Sequence, residues 1–346
     1  MQVFQSKKSF ALESGVILPE IELAYHTYGT LNARKSNVVW IFHALTANSD
    51  AADWWSGLVG EGRLFDPRDY YIICANMLGS HYGSTAPISL NPQTQTLYRW
   101  DFPLITVRDV VKSHQLLAKH LGLKNAYLGI GGSMGGQQAL EWAIDMPDFF
   151  ENITAIACGA QQSAWGVALN EAQRMAIEAD STLRTNAPDA GAKGMAAARA
   201  MGMVSYRTYD SFNFQQQDKD EKLSDFRAAS YQQHQGLKLC KRFNAWSYLS
   251  LSKTMDSHHV GRGRGNSANA LNKIIANTLI IGIESDVLFP ISEQAFLAAH
   301  ITGAQFEVID SRYGHDGFLI EYEKITKRLQ VFLKQALPTR RVKAFC

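Results

Sequence analysis

Ser133 is the residue best placed to do chemistry. It is the centre of Gly131-Gly132-Ser133-Met134-Gly135, a GxSxG pattern set directly after the apolar run AYLGI and before a helical stretch. A sharp strand-to-helix turn exposes the serine hydroxyl at the strand's C-terminal end, and flanking glycines remove Cβ atoms where backbone segments approach. Such a serine becomes a nucleophile when a base takes its proton and a third group orients the base. Those partners are expected in the order Ser, acid, His at the ends of later strands. Asp286 ends the run TLIIGIESD, and His315 follows QFEVI in SRYGHDGF. His315 is assigned as the base that takes the Ser133 proton and returns it to the leaving group. Asp286 fixes the imidazole tautomer and stabilises its cation, with Glu284 as the nearest rival. Oxyanion donors are backbone N–H groups, expected from Met134 and from the loop at about Leu45.

Other readings of the same residues do less well. Gly129-Ile130-Gly131 is followed at the third position by Met134, so a dinucleotide GxGxxG is not matched, and no GK[ST] completes a P-loop. His43, in HALT after a strand, reads as a structural turn histidine. His258-His259 lacks both an HExxH pattern and clustered carboxylates, so it reads as a solvated or packed loop and no metal site is expected.

These residues need a scaffold of parallel strands. Short apolar, β-branched runs at 37–42, 70–75, 126–130, 153–157, 278–283 and 305–309 have the near-continuous apolarity of strands buried on both faces. Helical patterns lie between several of them, at 107–120, 134–144, 292–300 and 321–337. The alternation predicts an α/β fold: a mostly parallel sheet with helices on both faces. The segment 10–30 reads as an antiparallel hairpin at the sheet edge. From about 161 to 273 the chain is rich in Ala, Gln, Met, Arg and Asp and has no strand-like run. It is expected to be a helical lid inserted into a core domain made of 1–160 and 274–346.

At about 150 residues per domain, a chain of 346 residues allows two units or one large α/β domain carrying an insertion, and the strand runs on either side of 161–273 favour the second. Lys plus Arg is 34 and Asp plus Glu is 32, for a formal charge of +2 with no long single-sign block. That balance excludes the electrostatic footprint of a nucleic-acid or membrane-surface binder, so an anionic ligand must be held by individually placed groups. Cys74, Cys158, Cys240 and Cys346 are widely spaced and read as buried or idle thiols in a reducing compartment. With no apolar stretch of membrane-spanning length, the cytoplasm is the expected location.

A larger set of motifs goes beyond GxSxG: HALT at 43–46, WW at 54–55, NMLGSHYGSTAP at 76–87, FPLITVRDVV at 102–111, GGSMGGQQALEWA at 131–143, ARAMGMVSYR at 198–207, VGRGRG at 260–265, SDVLFP at 285–290 and YGHDGFL at 313–319. Over nearly the whole chain the sequence resembles the homoserine O-acyltransferases of methionine biosynthesis, a branch of the α/β-hydrolase superfamily. The resemblance implies the triad Ser133, Asp286 and His315. It also implies that Arg199 holds the substrate carboxylate and that Asp316 meets the polar end of homoserine.

The implied reaction has two steps. Ser133 takes an acyl group from acyl-CoA, and the homoserine hydroxyl then takes it from Ser133, with acyl-CoA a co-substrate and no bound cofactor. Leu288 stands where succinyl-transferring relatives tend to carry an arginine, which favours acetyl-CoA. A succinyl donor, a serine acceptor, and an esterase or thioesterase using the same triad are the alternatives. In the resembling family the insertion also supplies a homodimer contact.

Overall fold

The computed structural model describes residues 1–335. The strands are β1 (Gln2–Ser6), β2 (Phe10–Ala11), β3 (Ile17–Leu18), β4 (Ile21–Tyr28), β5 (Val38–Phe42), β6 (Tyr71–Ala75), β7 (Ala126–Gly132), β8 (Phe150–Ile156), β9 (Asn277–Ile283) and β10 (Gln305–Ile309). Eight of them form one sheet in the order β1-β4-β6-β5-β7-β8-β9-β10. Every neighbouring pair from β6 to β10 is parallel, while β4 is antiparallel to both β1 and β6.

β5 shows why the sheet is a central layer. Val38, Trp40 and Phe42 pack into one apolar cluster, Val39 and Ile41 into another, and all five are buried. A strand covered on both faces needs this absence of polar alternation. The covering helices before the insertion are α1 (Ala51–Trp54), α2 (Val107–His120) and α3 (Met134–Asp145). Thr106 and Asp109 cap α2 reciprocally, which fixes its start where the apolar period begins.

Between β8 and β9 the named elements are helical: α4 (Ala164–Glu178), α5 (Ala192–Tyr206), α6 (Tyr209–Gln216), α7 (Arg227–Cys240), α8 (Ala245–Asp256) and α9 (Ser267–Leu271). The chain then continues through α10 (Ile291–His300), α11 (Gly317–Ile320) and α12 (Tyr322–Gln335). The helices α4–α8 leave and rejoin the core through a narrow neck, where the Gln162 amide donates to the His258 carbonyl and the Val260 amide to that of Ala160.

Three features differ from the sequence reading. The 10–30 segment is not one edge hairpin. Its first part makes the separate β2–β3 pair, while β4 lies one strand in from the edge, which is β1. β1 escapes notice because only Phe4 of its five residues is buried, so its apolar signal is minimal. Secondly, the stretch 260–273 belongs with the core and not with the lid. Arg264 contacts Glu141 of α3, and Arg262 contacts Glu13. Thirdly, helix α12 starts one residue later than expected, while positions 336–337 of the expected helix, Cys346 and the rest of 336–346 lie outside the described residues.

Candidate active site

Register brings the site together. Phe42 of β5 lies beside Gly131 of β7, and Ile283 of β9 beside Ile309 of β10. The segments that leave these parallel strands therefore share one end of the sheet, where α/β folds carry their ligands.

Ser133 adopts φ 56° and ψ −128°. A non-glycine residue rarely takes a positive φ, and holding one costs about 1–3 kcal/mol. The surroundings enforce it: the Ser133 amide donates to the Ile156 carbonyl at 2.9 Å. A Cβ at Gly135 would stand 2.2 Å from the Phe42 carbonyl oxygen, and one at Gly131 would stand 2.4 Å from the backbone of Gly135. The glycines of the motif thus allow α3 to start hard against β5 and β7.

The three expected partners meet. The Ser133 hydroxyl donates to His315 Nε2 at 2.9 Å, and His315 Nδ1–H donates to Asp286 Oδ2 at 2.7 Å. The carboxylate can only accept, so it fixes the imidazole proton on Nδ1 and leaves the Nε2 lone pair for serine. Asp286 Oδ1 in turn accepts from the amides of Leu288 at 2.8 Å and Phe289 at 2.9 Å. Glu284, the rival acid, is exposed and outside this relay. Burial alone would lower the His315 pKa. The charge and hydrogen bond of Asp286, with the charge of Asp316, outweigh it and raise the pKa above the ordinary histidine value.

Of the two residues expected to give oxyanion amides, Leu45 lines the cavity that Ser133 also lines, and Met134 follows Ser133 as the first residue of α3. Neither amide has a protein acceptor among the described residues. His43 braces the Leu45 loop. Its Nε2 accepts from the Met77 amide at 3.1 Å and its Nδ1–H donates to the Ala44 carbonyl at 2.9 Å. Burial lowers its pKa to about 4, so the ring is neutral and structural, as the sequence suggested. Gln138 was missed by sequence reasoning. Its side-chain Nε2 donates to the carbonyls of both His43 and Met134, each at 3.1 Å, tying together the two backbone segments that carry these amides.

A cavity of about 470 Å³ opens over Ser133 and His315, and the lid closes one side with Arg199 and Tyr206. Arg199 has its guanidinium carbon 5.5 Å from the Tyr206 ring centroid, with no hydrogen-bond or carboxylate partner among the described residues. Asp316 also lines the cavity but is not free: Arg207 Nε donates to its Oδ2 at 2.6 Å. Arg207 closes the ARAMGMVSYR motif, so its type was visible, but its partner was not. Leu288 is buried in the cavity wall. His258 is buried with Nε2 on the Gly159 carbonyl, and His259 Nδ1 accepts from the Gly261 amide. Among the described residues, no group of three or more His, Cys, Asp or Glu is arranged to hold a metal, and no helix is long and apolar enough to cross a membrane.

A serine raised on a strained turn, a histidine and aspartate on later loops, and a parallel sheet beneath them define an enzyme-like site of the α/β-hydrolase class. The alpha/beta hydrolase fold family matches residues 37–322. The homoserine O-acetyltransferase of Cyclobacterium marinum is 47% identical over 331 residues, spanning 96% of this chain and 94% of its own length. That of Chlorobaculum tepidum is 43% identical over 341 residues, spanning 97% and 95%. The crystal structure of homoserine O-acetyltransferase from Bacillus anthracis superposes with a TM-score of 0.89 at 25% identity, covering 100% of both chains. Esterase E22, at 24% identity and a TM-score of 0.86 over 96% of this chain and 99% of its own, shares the fold. The chain belongs to the homoserine O-acetyltransferase family of the α/β-hydrolase fold.

Proposed function

We propose that this protein moves an acetyl group from acetyl-CoA to the side-chain hydroxyl of L-homoserine, a step of methionine biosynthesis, through an acetyl-Ser133 intermediate. The observation that carries this reading is one cavity holding a hydrogen-bonded Ser133–His315–Asp286 relay together with the unpaired guanidinium of Arg199. A hydrolase of simple esters needs no fixed cation there, whereas an amino-acid acceptor has a carboxylate to place.

In the first half-reaction Ser133 Oγ attacks the thioester carbon as its proton passes to His315 Nε2. Leu45 and Met134 amides stabilise the oxyanion. The carbon–sulfur bond breaks, and His315 returns the proton to the departing thiolate. In the second, the homoserine hydroxyl gives its proton to His315, attacks the acyl carbon and displaces Ser133, which recovers the proton. Arg199 holds the acceptor carboxylate. Asp316, kept in place by Arg207, offers its remaining oxygen to the acceptor ammonium. Leu288 presents an apolar wall to the acyl group, which suits acetyl and leaves a succinyl carboxylate unpaired.

No bound cofactor or metal enters these steps, because both half-reactions need only proton transfer and oxyanion stabilisation. The lid helices limit access of water, the competing nucleophile. The protein is read as a cytoplasmic homodimer joined through the lid.

The test is thiol release with acetyl-CoA or succinyl-CoA, with homoserine, serine or no acceptor. Fast release only with acetyl-CoA and homoserine is expected. Equal release without an acceptor would make the protein a thioesterase. Ser133→Ala is expected to abolish turnover and the acetylated species seen by mass spectrometry. Arg199→Ala is expected to raise KM for homoserine about tenfold or more while leaving the first-step burst.

A further inference from the structure

Most residues lining the cavity over Ser133 are shielded from solvent. Of the residues that line it, only Asp53, Lys238 and Arg242 are exposed, and the others are buried or half-buried. The mouth therefore lies between the α1 segment of the core, which carries Asp53, and the C-terminal end of α7, where Lys238 and Arg242 stand four residues apart. A thioester with its acyl carbon at Ser133 must leave the rest of its length across this mouth.

The two cations differ in how they are held, and both retain unused donors. Arg242 Nη1 donates to the Thr46 carbonyl and to the Tyr82 hydroxyl, while its own backbone carbonyl accepts from Tyr82 and faces His81 Nε2. Its guanidinium is thereby fixed at the rim, and Nε and Nη2 have no protein partner among the described residues. Lys238 has no ion pair or hydrogen bond among them. Asp53, the third exposed residue of the lining, carries the opposite charge and disfavours an anion beside it. In a chain of net charge +2, whose cations are balanced overall, two cations with spare donors and no carboxylate partner among the described residues, both on the cavity lining, are a local feature.

We propose that Lys238 and Arg242 form a phosphate-binding lip that recognises the phosphorylated tail of the acyl donor and leads it in over the end of α7. The inference rests on the acyl-CoA reading of the proposed function. Arg242 supplies a planar donor fork already oriented by its Thr46 and Tyr82 bonds, and Lys238 a mobile point charge beside it. Since Arg242 also holds the carbonyl of Thr46 next to Leu45, donor binding at the lip touches the oxyanion loop directly.

The experiment compares acetyl-CoA, acetyl-4′-phosphopantetheine and acetyl-pantetheine as donors for the full-length protein with homoserine. Lys238→Ala is expected to raise KM for acetyl-CoA about five- to tenfold at low salt, and to lower by the same factor the preference for acetyl-CoA over acetyl-pantetheine in kcat/KM. Lys238→Arg is expected to restore most of that preference. Arg242→Lys, which keeps the charge but loses the fork, is expected to fall between. Added salt is expected to erode the wild-type preference more steeply than that of Lys238→Ala, in which only the Arg242 charge remains. A preference unchanged in Lys238→Ala, or an equal loss with all three donors, would overturn the lip. If the unmodified protein used no acetyl-CoA at all, the proposed function itself would fail, an outcome separate from these.

Discussion

His315 works in both half-reactions only when its Nε2 is unprotonated. Because Asp286 and Asp316 raise its pKa against the effect of burial, the acid limb of kcat/KM for acetyl-CoA is expected above pH 6.5, the ordinary histidine value. The same shift has the opposite sign for stability. The extra stabilisation is fully present below the unfolded pKa, where the ring is charged beside Asp286, and is lost as pH rises through the folded pKa. Asp286→Asn removes the opposing charge, so burial dominates: the acid limb should move to lower pH while kcat falls about 10³–10⁴-fold. A pH–rate profile that keeps its limb in this variant would assign the limb to another group. Gln138 acts one step further back, since it touches the carbonyls of His43 and Met134 and not the reacting atoms. Gln138→Met, similar in volume but unable to donate, is expected to lower kcat about tenfold with KM for acetyl-CoA nearly unchanged. An unchanged kcat would mean that the two oxyanion segments hold their spacing without this amide.

Among the elements, the VGRGRG turn explains how the lid's return segment is anchored. Glu141 of α3 is buried, and Arg108 of α2 and Arg264 of the turn flank it, while Arg108 and Arg262 share Glu13. Burial raises the Glu141 pKa, and the two arginines oppose that rise. Such a cluster is costly to break, because removing one partner leaves a buried charge poorly compensated. Arg264→Ala is expected to destabilise the fold by about 3 kcal/mol, read as a lower midpoint in urea with the slope unchanged. A loss below about 1 kcal/mol would show that Arg108 alone neutralises Glu141. The motif was plain in the sequence, but its purpose was not: three arginines and two glutamates spread over 13–264 become one cluster only through packing.

For the whole molecule, the lid exposes several large apolar side chains. Met201 and Val204 on α5, with Tyr209 and Phe214 on α6, are all exposed. Contiguous apolar patches mark interaction surfaces, and the proposed homodimer through the lid is expected to bury these side chains together. Val204→Glu is expected to shift the protein from dimer to monomer in sedimentation velocity. A wild-type protein that sediments as a monomer would remove the lid dimer altogether.

What the sequence determined by itself was local and periodic. The strand runs, the GxSxG turn and the chain order of Ser133, Asp286 and His315 were legible because backbone conformation and two-sided burial leave a mark at short range. Arg199 was placed at the site through the wider set of motifs. The tertiary structure decided what depends on separation in space: that Glu284 is exposed outside the relay, that Arg207 occupies one oxygen of Asp316, and that Gln138 joins the start of α3 to the distant His43 loop. It also decided where the cavity opens. A side chain's partners are set by how strands and helices cross, and crossing brings together residues with no fixed spacing in the chain. No local pattern can carry that information.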